Sequence, residues 1–205
     1  MTERQTDWLS RSLALVIALC AWVGLAIHVQ AQWSQSGSLL TAFWVLGGYF
    51  TVLTNLLVAV TFSVIALRGP DAIGTRSLGG VAICIALVGI IYGLLLRGLV
   101  ELTAGAAVAN VLLHMVTPVL GPIYWLLCVP RGVLRWNDPL LWSLYPVVYL
   151  VYALVRGTAQ GSFAYPFINY VDNGIPQVAI TCVVIFFAFL VAGWLMVLLD
   201  RRLAR

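Results

Sequence analysis

The chain has 205 residues, of which 62% are hydrophobic and only 9% charged, against roughly 25% charged in an ordinary soluble domain. Too few polar groups are present to coat a water-facing globule, so the composition reads as an integral membrane protein. All 11 cations are arginine and the net charge is +4, but they sit in loops and tails. There they act as topology signals and contacts to anionic lipid, not as a nucleic-acid surface.

Apolar runs of about twenty residues mark membrane helices, and six are expected, at about 12–31, 40–67, 78–101, 107–128, 138–156 and 177–199. The first run, Leu13 to Val29, outlasts the usual signal-peptide core of about 7–15 residues and reads as a retained helix. The second is long enough to tilt or to extend past the hydrocarbon. In the fourth, Pro118 and Pro122 are expected to bend the helix, because proline offers no N–H and its ring pushes on the carbonyl one turn earlier. The fifth is the shortest and is broken by Pro146. Cys20, Cys84, Cys128 and Cys182 fall one to a span with no metal-ligand spacing, so they read as small buried hydrophobes.

Arginine placement sets the direction. Arg4 and Arg11 precede the first run, Arg68 and Arg76 flank the loop after the second, and Arg131 and Arg135 follow the fourth. Arg201, Arg202 and Arg205 close the chain, while AQWSQSGS between the first two runs is uncharged. The positive-inside rule then puts both termini in the cytoplasm. The one substantial outer loop, residues 156–177, is rich in aromatics, Gly and Pro, a composition suited to the headgroup level or to capping a cavity.

Polar side chains gather in the outer half. With a rise of about 1.5 Å per residue, Thr51 lies roughly 16 Å into the second run and His114 roughly 10 Å into the fourth. Asn55 and Asn110 are each one turn from one of these two, on the same helical faces. Arg97 and Glu101 stand one turn apart at the outer end of the third run, with Tyr92 deeper. Several of these have plain structural readings. Thr51 and Thr54 can bond back to carbonyls one turn earlier, Asn55 can join helices, and Arg97–Glu101 can be an intrahelical pair. His28 reads as interfacial. His114 is harder to dismiss, because an ionisable group at membrane depth is a functional candidate by default.

No HExxH pattern, phosphate-binding loop or GxSxG elbow is present, and no metal or cofactor is implied. What the residues offer is a hydroxyl nucleophile with a histidine base. Asn55 or Asn110 would donate to an oxyanion, and Arg97 would hold an acidic head group.

The ordered series GGYFTVLTN, LLHMVTPVLGPIYWLL, PRG, YPVVYLVYALVRG and YPFINYVDNG, over about residues 40 to 176, resembles the FAR-17a/androgen-induced membrane hydrolase family and its bacterial six-helix relatives. Animal members of that family are threonine hydrolases that cleave fatty acid esters of hydroxy fatty acids with one Thr and one His. Carried over by motif, these fall on Thr51 and His114, although Thr54 offers a second hydroxyl and His114 stands alone where the animal motif is richer in histidine. The resemblance implies a membrane lipid or fatty acyl ester substrate, no cofactor, and the inner membrane of a bacterium. Two rival readings remain from the residues themselves: a proton-coupled or small-molecule transporter with Pro118 as hinge, and a non-catalytic protein that binds lipids or partner helices. Oligomeric state is not legible.

Overall fold

A computed structural model describes residues 3–99 and 104–204; Glu101 lies outside them. The described residues are helical with no strand, and six helices are long and apolar enough to cross a membrane. The all-α, six-span reading therefore holds. In chain order the helices are α1 (Glu3–Ser36), α2 (Leu39–Leu46), α3 (Phe50–Arg68), α4 (Thr75–Ile91), α5 (Ala104–Val111), α6 (Thr117–Cys128), α7 (Asp138–Gln160), α8 (Tyr170–Asn173) and α9 (Ile175–Leu203). Two wide, π-helical turns interrupt the ladder, at Tyr92–Leu96 after α4 and at Leu112–Val116 between α5 and α6.

Lipid tails are as apolar as leucine, so close packing, not hydrophobic expulsion, has to hold such helices together. In α1 the small residues Ala14, Ala18 and Ala21, with Ile17, form a buried stripe at helical spacing. They pack in one core with Val58, Ala59, Phe62 and Ile65 of α3. Tyr124 of α6 completes this centre, with its ring edge-on to Phe62 at 4.9 Å and its hydroxyl 2.6 Å from Ser10 Oγ. The C-terminus of α3 is closed by Arg11, whose guanidinium donates to the carbonyls of Ala66 (3.1 Å) and Leu67 (2.8 Å). A cation there also suits the negative end of the helix dipole. At the same end of the bundle Arg76 of α4 grips the buried carboxylate of Asp138, the first residue of α7, with Nε 2.8 Å from Oδ1.

Two expectations about the helices are corrected. The run expected as one helix over 40–67 is two, α2 and α3, separated at Gly47-Gly48. The break is sustained from α7: Tyr152 Oη donates to the Gly47 carbonyl (3.0 Å), Tyr149 Oη to the Gly48 carbonyl (2.8 Å), and Arg156 to Tyr152 Oη and the Trp44 carbonyl. A Cβ at Gly48 would stand 3.0 Å from the Arg156 guanidinium, so the side chain that sustains the break would have to shift. Second, α7 is not broken at Pro146 but runs through it for 23 residues.

At Pro118 the helix is distorted. The distortion takes the form of a wide turn: the Thr117 N–H reaches back five residues to the Leu112 carbonyl. The carbonyl this releases is that of Leu113, and the side chains of Asn55 (3.1 Å) and Thr117 (3.4 Å) take it up. Gly89 of α4 lets this segment approach, since a Cβ at 89 would lie 2.7 Å from Pro118 Cβ. Neither the ring nor the helix behind it can yield easily, so Gly89→Ala is expected to destabilise the protein by about 1–3 kcal/mol. Denaturation in detergent checks this. Gly93→Ala, where a Cβ meets nothing within 4 Å, is the matched control.

Candidate active site

The cavity of interest, about 110 Å³, lies where α4, α7 and α9 meet the start of α3, beneath the 161–174 connection. Its walls are hydrocarbon: Leu87, Val88 and Ile91 from α4, Val147 and Leu150 from α7, and Ile185, Phe186 and Phe189 from α9. Among the described residues no charged side chain lines it. The polar atoms come from the hydroxyls of Thr51, Tyr149 and Tyr165, with the Cys182 thiol.

Thr51 is there because of the Gly47-Gly48 break. Starting α3 at Phe50 makes Thr51 its second residue, in the first turn, where backbone N–H groups have no partner within the helix. Thr51 is 5% exposed. Its N–H points to Tyr165 Oη at 3.4 Å, and its Oγ1 lies 3.5 Å from the same oxygen. Tyr165 is itself buried, stacked on Phe167 at 5.2 Å and edge-on to Tyr49 at 5.9 Å. Burial pushes its phenol above the ordinary tyrosine range, which keeps it a proton donor at neutral pH.

Thr54, the second candidate hydroxyl, is fully buried one turn on, 3.2 Å from Tyr145 Oη, and does not line the cavity. Asn55 is also fully buried. Its amide donates to the Thr51 carbonyl (2.9 Å) and the Leu113 carbonyl (3.1 Å), while its oxygen accepts from Thr117 Oγ1 (2.6 Å). Both amide protons are used, so Asn55 joins helices here and has none left for an oxyanion. The same amide makes α3 and the 112–116 turn touch: the backbone beside Thr51 and the backbone beside His114 share one nitrogen.

His114 projects from that turn onto Tyr92, which belongs to the other wide turn; the ring centroids are 4.5 Å apart. Asn110 donates to Tyr92 Oη at 2.6 Å. Tyr92, Asn110 and His114 are thus brought together, as their expected depths implied. The buried Nδ1 of His114 has no hydrogen-bond partner among the described residues. The Nδ1 of His28, expected at the interface, is buried in the same unpaired state. Gly24, one turn before His28, packs on Leu113, where a Cβ would meet Leu113 Cδ2 at 2.7 Å. His114 does not border the cavity, and among the described residues no hydrogen bond joins it to Thr51. Arg97 is exposed beyond α4 and outside the cavity lining.

Sequence reasoning singled out neither Tyr149 nor Tyr165. The one signal for Tyr165 was its place in the aromatic 156–177 connection. Among the described residues no three His, Cys, Asp or Glu side chains converge as a metal site. Comparison of the chain with protein-family models, curated proteins and solved structures finds no match.

Proposed function

We propose that this protein is a membrane-embedded hydrolase of a fatty acyl ester, with Thr51 as nucleophile and His114 as general base. The observation that carries the reading is the setting of Thr51: a buried hydroxyl at the polar end of a hydrocarbon-walled cavity. Such a space takes an acyl chain and presents its carbonyl carbon to the hydroxyl. Further support comes from the resemblance of the Thr- and His-bearing segments to a family of threonine hydrolases. The shared Asn55 amide adds to it, because it holds the two segments against each other.

In the reaction Thr51 Oγ1 bonds to the ester carbonyl carbon while its proton passes to His114. The C–O bond to the leaving alcohol then breaks, and His114 returns the proton to that oxygen. Water repeats the sequence on the Thr51 ester, releasing the fatty acid and restoring the hydroxyl. The imidazole reaches Thr51 by adjustment of the 112–116 turn or across one water, since catalytic hydrogen bonds tighten only when substrate is bound. Under the positive-inside rule both termini are cytoplasmic and the cavity faces the outer leaflet of a bacterial inner membrane. Arg97, on that outer side, holds a substrate carboxylate or phosphate outside the cavity.

A fluorophosphonate probe tests the reading. The native protein in detergent should label at one residue, mapped to Thr51, and Thr51→Ala should not label. Absence of labelling in the native protein, or labelling that persists in Thr51→Ala, would overturn it.

A further inference from the structure

We infer that Tyr165 is a catalytic residue of this site, whose phenol donates to the oxyanion that forms when Thr51 attacks an acyl carbonyl. The inference rests on the hydrolase reading above and adds to it a group for which no role has been given. Any such site needs a donor aimed at the developing negative charge, preorganised and shielded from water. Asn55, the donor on Thr51's own helix, is committed to two backbone carbonyls, and Asn110 donates to Tyr92. Tyr165 borders the cavity and lies against Thr51.

Its hydrogen bonding leaves the required proton free. The phenol oxygen accepts from the Thr51 N–H at 3.4 Å, so its own O–H is available to donate. The Tyr149 phenol, whose own proton goes to the Gly48 carbonyl, also interacts with it, and the Thr51 hydroxyl is its hydrogen-bond partner at 3.5 Å, a long and weak contact. An ester carbonyl oxygen arriving beside Thr51 replaces that contact with a shorter one at little loss. The ring is fixed by Phe167 on one face and the edge of Tyr49, so the donor needs no reorganisation during reaction. When the tetrahedral intermediate forms, the carbonyl oxygen gains the negative charge and accepts from Tyr165 Oη. When the C–O bond breaks the charge returns to the carbonyl, and the phenol keeps its proton throughout.

The experiment measures hydrolysis of para-nitrophenyl esters of long-chain fatty acids in detergent micelles, with the full chain and its Tyr165→Phe and Thr51→Ala variants. A fourth protein carries 3-fluorotyrosine at 165, which has the same shape and a stronger donor. The expected result is a fall in kcat of about 10²-fold for Tyr165→Phe with KM little changed. The fluorinated protein should be at least as fast as the native one, and Thr51→Ala inactive. Tyr165→Phe within threefold of native kcat, while Thr51→Ala is inactive, would overturn the inference alone. So would a fluorinated protein that slows with the Phe variant. Undiminished activity in Thr51→Ala, or none in the native protein, would overturn the hydrolase reading and the Tyr165 role with it. Should Tyr165→Phe fail to fold, the fluorinated protein decides by the direction of its rate.

Discussion

Thr51→Ala is expected to lower kcat for fatty acyl ester hydrolysis by roughly 10⁴-fold or more, as loss of a covalent nucleophile does elsewhere. Thr51→Ser, which keeps the oxygen, should retain measurable turnover. Thr54→Ala should stay within about tenfold of the native rate, the effect of a neighbouring packing change. The contrast follows from position: two threonines one turn apart differ in what their hydroxyls meet. Thr51 Oγ1 faces the cavity and the loosely held Tyr165 phenol, whereas Thr54 Oγ1 is turned to Tyr145 behind it. Steady-state kinetics of the three variants, with a thermal melt of each to exclude misfolding, decide the matter. Equal losses in Thr51→Ala and Thr54→Ala would reduce both to structural roles.

His114→Phe carries the second large effect. Removing a general base costs about 10² to 10⁴ in rate. The phenyl ring can keep the contact with Tyr92, and Nδ1 of the native imidazole surrenders no hydrogen bond within the described residues. The six-membered ring is larger than imidazole, so overpacking is expected to cost about 1–3 kcal/mol of stability. Rate and stability still separate: turnover falls by far more than the shift in the melt accounts for. A variant that is slow only to the extent that it is unfolded would assign His114 to packing, and one with native turnover would remove it from the mechanism. Measuring both quantities on the same preparation is essential here.

The crossings were legible because hydropathy over twenty residues is a local property, and each long apolar run is helical over its described residues, the second as two helices. What escaped was nonlocal. Gly47-Gly48 inside an apolar run reads as a site of close helix packing. Its actual use, ending α2 and starting α3, depends on Tyr149 and Tyr152, a hundred residues away, reaching its carbonyls and on Arg156 reaching that of Trp44. Moving the helix start to Phe50 also changes the meaning of Thr51, from a mid-span residue to one in a first turn. Pro118 gave the distortion but not its form, since whether a helix kinks or widens depends on who accepts the released carbonyl. Asn55 does so from another helix. Tyr165 could not be located because its place depends on how the 161–174 connection folds back over the bundle.

The cavity has a consequence for how its occupant is supplied. A chamber walled by hydrocarbon with a few hydroxyls at one end gains little from a polar ligand, which gives up its hydration to enter. On the hydrolase reading its acyl occupant comes from the apolar phase around the protein, into which such an ester partitions. Occupancy then follows mole fraction in the surrounding amphiphile rather than bulk molarity. Adding inert detergent at constant total ester should starve the protein by two-dimensional dilution, and an apparent affinity quoted per litre would describe the micelle more than the site.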